Sequence, residues 1–193
     1  MHRRLRLLAL FAALVALASA CTDKHAVTDG SGGPQLGSLP QNHTGRLLAV
    51  DDRVPAPAIH GETLDGQPLD LASLKGKVVV VNFWASWCAP CRAESARLVQ
   101  VAKETAPLGV SFVGIDFKDE RSAAKRFAEV HDVPYPSLFD QPGVVLTRLH
   151  KLVPQVPPST MVLDRDGRIA ALFIGGITER QLSAPLRQLA GET

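Results

Sequence analysis

The residues best suited to chemistry are Trp87-Cys88-Ala89-Pro90-Cys91, two cysteines with two residues between them where an apolar run gives way to a helical pattern. A thiol is a poor nucleophile until it ionises, and the unpaired amides and positive dipole end of a helix N-terminus favour the thiolate. Cys88 occupies that position. One turn further in, Cys91 is close enough to attack a mixed disulfide formed at Cys88 and release the partner, and it is expected to be the more buried sulfur. Pro90 suits the first turn, where its missing N–H would have been unpaired in any case, and it stiffens the segment between the sulfurs. Zinc normally takes four ligands, and no second CxxC or closely spaced histidine pair accompanies this one. A peroxidase lacks support, because no separate reactive cysteine accompanies the pair. The rival from another class is a copper metallochaperone using both thiolates and one distant histidine, His131 or His150, although such proteins usually space their cysteines more widely.

These cysteines need a strand to deliver them and a helix to receive them. Lys77 to Trp84 is a continuous β-branched run, which predicts a strand buried on both faces. Ala89 to about Ala106 favours helix, with Ala93, Ala96, Leu98, Val101 and Ala102 available for its buried side. Val110 to Ile115 is a second buried strand, and the strand-helix-strand order implies parallel pairing through a right-handed crossover. Asp119 to Val130 reads as an amphipathic helix with Ala123, Ala124, Phe127 and Val130 inward and Lys125, Arg126 and Glu129 solvated. Beyond Tyr135-Pro136-Ser137-Leu138-Phe139 and a short helix near Val144 to Leu149, Thr160 to Leu163 and Ile169 to Ile174 flank an Asp166-Gly167 turn as an antiparallel pair. Thr178-Glu179-Arg180-Gln181 fits a capping box for a last helix ending near Leu189. Upstream, Leu64-Asp65-Gly66-Gln67 predicts a small hairpin between strands near Ala58-Ile59 and Pro68-Leu69. The fold class is therefore α/β: a mixed central sheet, half parallel and half antiparallel, flanked by helices, with an N-terminal β-hairpin extension. Trp84 is expected in the core, Trp87 beside the partner-binding surface, and Asp116, Lys118 and Asp119 in a polar loop at a strand end.

The stretch Asn82-Phe83-Trp84-Ala85-Ser86-Trp87-Cys88-Ala89-Pro90-Cys91-Arg92-Ala93-Glu94 resembles the active-site strand and helix of the TlpA/ResA-like thiol-disulfide oxidoreductases, membrane-tethered extracytoplasmic members of the thioredoxin fold. Pro158-Ser159-Thr160-Met161-Val162-Leu163-Asp164 is similar to that family's cis-proline loop and following strand, and the resemblance runs from about Val54 to Leu189. It implies a thioredoxin-like fold and exchange of disulfides with protein substrates. It also implies that Pro158 is the cis-proline facing the two sulfurs, and that Glu94 is the acid tuning their protonation. Trp87, Ala89, Pro90 and Pro157 would border the substrate-binding surface. Asn82 stands where thioredoxin itself has a buried aspartate, which leaves proton handling to Glu94. Pro157 stands where an aliphatic residue is more usual, so either proline is a candidate for the cis bond; Pro158 is favoured because Ser159-Thr160 follows it in the family's register. Ala96 replaces a frequent proline. Without the resemblance, Glu94 reads equally well as an ordinary helix-surface carboxylate.

The N-terminus speaks to compartment. His2-Arg3-Arg4-Leu5-Arg6, the apolar run Leu7 to Ala18 and Ser19-Ala20 have the layout of a secretory signal over residues 1–20. That run is shorter than the about 20 apolar residues a membrane-spanning helix needs. Leu17-Ala18-Ser19-Ala20-Cys21 resembles a lipoprotein cleavage site, with Cys21 as the lipidated residue and plain secretory cleavage as the alternative. Two or three acyl chains at about 0.8 kcal/mol per buried methylene would hold the protein stably on a membrane face. Residues 21–46, rich in Gly, Ser, Pro, Asp and Thr, read as a lipidated N-terminus and flexible tether, leaving 47–193 as the thioredoxin-like domain.

At 46% hydrophobic and 21% charged the chain suits one globular domain, and three cysteines are too few for a disulfide scaffold. Its formal charge of +2 owes a surplus to Arg3, Arg4 and Arg6; from residue 21 onward 18 basic residues face 19 acidic ones, which gives no field for nucleic acid. Such a protein needs no bound organic cofactor. The expectation is a monomer on the extracytoplasmic face of a bacterial membrane, or else secreted or periplasmic. Apocytochrome c, a copper-site assembly protein and general envelope proteins all fit as substrates. Ala89-Pro90 brings no positive charge between the sulfurs and Glu94 adds a negative one; both disfavour the thiolate and point to a reductant recharged by a membrane electron donor, with a thiol oxidant as the alternative.

Overall fold

The computed structural model describes residues 44–153 and 156–192. The signal sequence, Cys21 and the tether to residue 43 lie outside the described residues. Residues 44–46 already belong to the domain: Thr44 bridges Leu172, and the Gly45 amide donates to the Leu172 carbonyl at 2.7 Å.

Twelve elements follow in order. They are β1 (Val54–Pro55), β2 (His60–Glu62), β3 (Pro68–Asp70), β4 (Val78–Trp84), α1 (Ala89–Thr105), β5 (Val110–Phe117), α2 (Arg121–Val130), β6 (Ser137–Asp140), α3 (Val144–Arg148), β7 (Ser159–Leu163), β8 (Arg168–Ile174) and α4 (Glu179–Ala190). Six strands form one sheet in the order β1-β8-β7-β4-β5-β6, and β2 with β3 forms the separate hairpin. All seven residues of β4 are buried, as its unbroken β-branched run requires. On one side it pairs in parallel with β5, from Val78↔Val110 to Trp84↔Asp116; on the other it pairs antiparallel with β7, from Val79↔Leu163 to Phe83↔Ser159.

Alternation along β4 divides the core. Val78 and Val80 pack with Leu98 and Val101 of α1 and with Leu182, Leu186 and Leu189 of α4. Val79, Val81 and Phe83 face the opposite layer, where Ile59, Leu71, Leu146 and Leu149 close the core. The steps from β4 to β5 and from β5 to β6 run the same way, so right-handed crossovers place α1 and α2 on one face. Phe127 of α2 accordingly stacks on Trp84, ring centroids 4.6 Å apart, in a cluster with Cys88 and Cys91.

Several expectations need correction. Ala93 and Ala96 are exposed, whereas Glu94 and Ser95 are buried. The buried stripe of α1 runs from Cys91 at helical spacing through Glu94, Leu98 and Ala102, and Glu94 can lie inside because polar partners meet it there. The second helix begins at Arg121 rather than Asp119, and Val130 in its last turn is 71% exposed. Strand β5 continues to Phe117, so Asp116 is a fully buried strand residue rather than part of a polar loop. Strand β6 was not anticipated, because Pro134 and Pro136 mask a short run that pairs in parallel with β5. The capping box of α4 is present as expected, with Thr178 and Gln181 bonded reciprocally.

Candidate active site

Strand β4 ends under α2, and Ala85 to Trp87 turn the chain into α1. Cys88 caps that helix: its sulfur accepts from the Cys91 amide at 3.2 Å, while its own amide donates to the Ala85 carbonyl at 3.1 Å. The two cysteines form a disulfide with an S–S distance of 2.01 Å, both sulfur-bearing residues being buried. Around them the surface is open. Trp87 is 53% exposed, and Ala89 and Pro90 are exposed beside it. The turn is tied down on three sides. Ser86 donates to Asp119 from its amide at 2.5 Å and from its hydroxyl at 2.9 Å. The Trp87 indole N–H reaches the Lys118 carbonyl at 3.0 Å, and Arg92 donates to the Ser86 carbonyl at 2.5 Å. Lys118 holds a left-handed backbone (φ 49°) that glycine would adopt more readily.

The peptide bond between Pro157 and Pro158 is cis. Both prolines are buried immediately before β7, at the end of the sheet where β4 passes into the cysteine turn. The Pro158 carbonyl is met by the Gly175 amide at 2.9 Å, so the loop is fastened to the end of β8.

Glu94 lies one helical turn beyond Cys91 on the same buried face and is 1% exposed. One carboxylate oxygen accepts from the Asn82 side chain at 3.3 Å, and the other accepts from the Ile177 amide at 3.0 Å. Burial raises its pKa, against the opposing effect of those two bonds. Asn82 also donates to Thr160 Oγ1 at 3.3 Å, joining β4, β7, α1 and the approach to α4 in one buried polar network. Asn82 is legible as a strand position, but Thr160, which it meets, and Ile177, which meets Glu94, carry no local signal and come together only in the folded chain.

Asp116 is a second buried acid on this face of the sheet. It pairs with Trp84 in register, and neither of its oxygens receives a hydrogen bond. Burial pushes its pKa up to about 8, with the adjoining Asp119 adding to the effect. Gly114, two residues earlier, makes room for the indole: a Cβ there would lie 2.6 Å from Trp84 Nε1. The histidines considered for copper are engaged elsewhere. His131 Nδ1 is 3.0 Å from Ser95 Oγ, and exposed His150 contacts the Thr147 carbonyl at 2.8 Å. Among the described residues, no group of three or more His, Cys, Asp or Glu is close enough to hold a metal ion, and no helix is long and apolar enough to cross a membrane.

A disulfide at the head of a helix, entered from the central strand of a mixed sheet and bordered by a cis-proline loop, defines the thioredoxin-fold class of thiol-disulfide oxidoreductases. Residues 53–172 match the AhpC/TSA family, and the chain belongs to that thioredoxin-like family on its TlpA/ResA-like side. It is 36% identical over 140 residues to the thiol:disulfide interchange protein HelX of Rhodobacter capsulatus, covering 72% of this chain and 76% of HelX. With the thioredoxin-like protein YneN of Bacillus subtilis it shares 29% over 152 residues, 77% of this chain and 86% of YneN. Among solved structures, a secreted thiol-disulfide isomerase of Corynebacterium glutamicum superposes with a TM-score of 0.72 at 32% identity, covering 76% of this chain and 92% of that one. A DsbF homologue of Corynebacterium diphtheriae gives 0.69 at 33%, with 74% and 91% covered.

Proposed function

We propose that the protein is a lipid-tethered extracytoplasmic reductant of protein disulfides, anchored at Cys21 and recharged by a membrane electron donor. The observation that carries this reading is the buried Glu94 carboxyl one turn from Cys91, with uncharged Ala89 and Pro90 between the sulfurs. Neither feature stabilises a second anion beside Cys88, and a thiolate without special stabilisation belongs to a reducing couple. In the reaction, the Cys88 thiolate attacks one sulfur of a substrate disulfide, forming a mixed disulfide and releasing the other substrate sulfur as a thiolate. Cys91 gives its proton to Glu94 and attacks the Cys88 sulfur, expelling the second substrate thiolate. Two electrons have then passed to the substrate, and the Cys88–Cys91 disulfide is left for the donor to reduce. Exposed Trp87, Val156 and Ile174, at 53%, 67% and 51%, with Ala89 and Pro90, offer an apolar rim on which an extended substrate segment would lie, next to Pro157 and Pro158.

The likeness to a secreted isomerase favours a second reading, in which the pair oxidises or reshuffles envelope thiols. Acid quenching of cells followed by alkylation separates the two. A reductant is found mostly as the dithiol and shifts to the disulfide when its donor is removed; a pair found mostly oxidised with the donor intact would reverse the direction. For the anchor, Cys21→Ala should free the domain from the membrane and leave its thiol chemistry unchanged. Unchanged retention with an uncleaved N-terminus would show a signal anchor instead.

A further inference from the structure

Asp116 takes no part in the exchange described above, yet it is the most costly side chain near the disulfide. It is fully buried, neither oxygen is partnered, and it sits beside Trp84 on the face of the sheet that carries both cysteines. A buried ionised carboxylate without hydrogen bonds is strongly disfavoured. The polar group against it is the Asp119 carboxylate, which is itself an acceptor, so the two can bond only when one of them carries a proton. Asp119 has its acceptors committed: both oxygens bind Ser86, and one also takes the Glu120 amide at 2.7 Å. The proton therefore belongs on Asp116.

We propose that protonated Asp116 is a positioning residue for disulfide exchange, donating to Asp119 and so holding the Asp119–Ser86 clasp that fixes the turn carrying Trp87 and Cys88. Loss of that proton sets two carboxylates against each other behind the turn and adds negative charge on the cysteine face, so Cys88 ionises less readily. The charged groups facing Asp116 are Asp119 before α2, Arg121 at its start and Asp140 at the end of β6. Arg121 is only a partial counterweight, because its guanidinium also donates to the Thr63 and Leu64 carbonyls at 2.8 Å each. Asp140 is occupied in capping α3 through the Val144, Val145 and Leu146 amides. Burial and Asp119 together raise Asp116 to about 8, which puts the change within an accessible pH range.

The inference rests on thiol chemistry at Cys88 and not on the direction of electron flow, so the test is one that a reversed direction would not disturb. In Cys91→Ser protein, the rate of Cys88 alkylation is measured from pH 6 to 9 with and without Asp116→Asn, whose amide can donate to Asp119 at every pH. The two should agree near pH 6, and the Asn variant should be faster by about threefold at pH 9, a modest factor because a single added charge acts through a partly screened medium. Superimposable profiles would overturn the proposal. A second measurement needs no variant: 13C NMR of aspartate-labelled oxidised protein, which has no thiol to titrate, should show the Asp116 carboxyl still protonated at pH 6. Asp119→Asn should lower its midpoint. An Asp116 carboxyl already ionised at pH 6 would overturn the proposal as firmly.

Discussion

Glu94 and Asp116 are both buried on the face of the sheet that carries the disulfide, and they are held in different ways. Glu94 is met by the side-chain amide of Asn82 and by the backbone N–H of Ile177, one donor on each oxygen, so its ionised form has partners despite burial. Asp116 has a strand neighbour in Trp84, another carboxylate against it and no hydrogen bond to its oxygens. Burial raises both, but only Glu94 is wired to accept charge and give it back. The difference suits Glu94 to moving a proton during exchange and Asp116 to keeping one.

Both roles require Cys88 to be the attacking sulfur, and the largest expected effect tests that. Cys91→Ser should accumulate mixed disulfides with substrate, and Cys88→Ser should trap none; the reverse pattern would exchange nucleophile and resolver.

The next effect separates the acids through stability. Asp116 is raised in the folded protein, so the unfolded chain gives up this proton first as pH rises. Its contribution is full below the ordinary aspartate range and is lost progressively up to about 8. Urea unfolding of the oxidised protein should show that decline, at most about 6 kcal/mol, and Asp116→Asn should flatten it. Glu94→Gln keeps one acceptor oxygen and should cost about 1–2 kcal/mol. Equal pH profiles for wild type and Asp116→Asn would break the distinction.

Two smaller changes act on one acid each. Gly114→Ala drives a methyl into the Ser137 hydroxyl and the Trp84 indole that donates to it, beside Asp116, and should cost about 2 kcal/mol while shifting tryptophan fluorescence. Thr178→Ala removes the cap next to Ile177, whose amide holds Glu94, and should cost about 1 kcal/mol by thermal unfolding. The first should move the Asp116 carboxyl titration and the second that of Glu94; the opposite pairing would show that each acid answers to the other's surroundings.

The half of the sheet that delivers the cysteines was readable in the sequence because its signals are local: a β-branched run, then Cys-Ala-Pro-Cys at a helix start. Thr178-Gln181 was legible for the same reason. What stayed hidden depends on pairing between distant strands. Asp116 looks like a loop residue beside Lys118 and Asp119 until β5 is set in register with β4, which turns it inward opposite Trp84. Glu94 lay on the wrong face for a helix read from its alanines, because the position is bought by Asn82 and Ile177, neighbours twelve and eighty-three residues away. Ala93 and Ala96 are small enough to sit on either face, so their apolarity misplaced the stripe. Strand β6 is short, preceded by two prolines, and defined by its partner rather than by its own pattern.

The claim that the protein is a reductant is tested most directly by equilibrating the Cys88–Cys91 pair against glutathione buffers of known potential and titrating the Cys88 thiol in the same protein. A reductant should settle near the potential of thioredoxin, about −270 mV, with a thiol that is not strongly acidic; a value near about −120 mV with a strongly acidic thiol would contradict that direction.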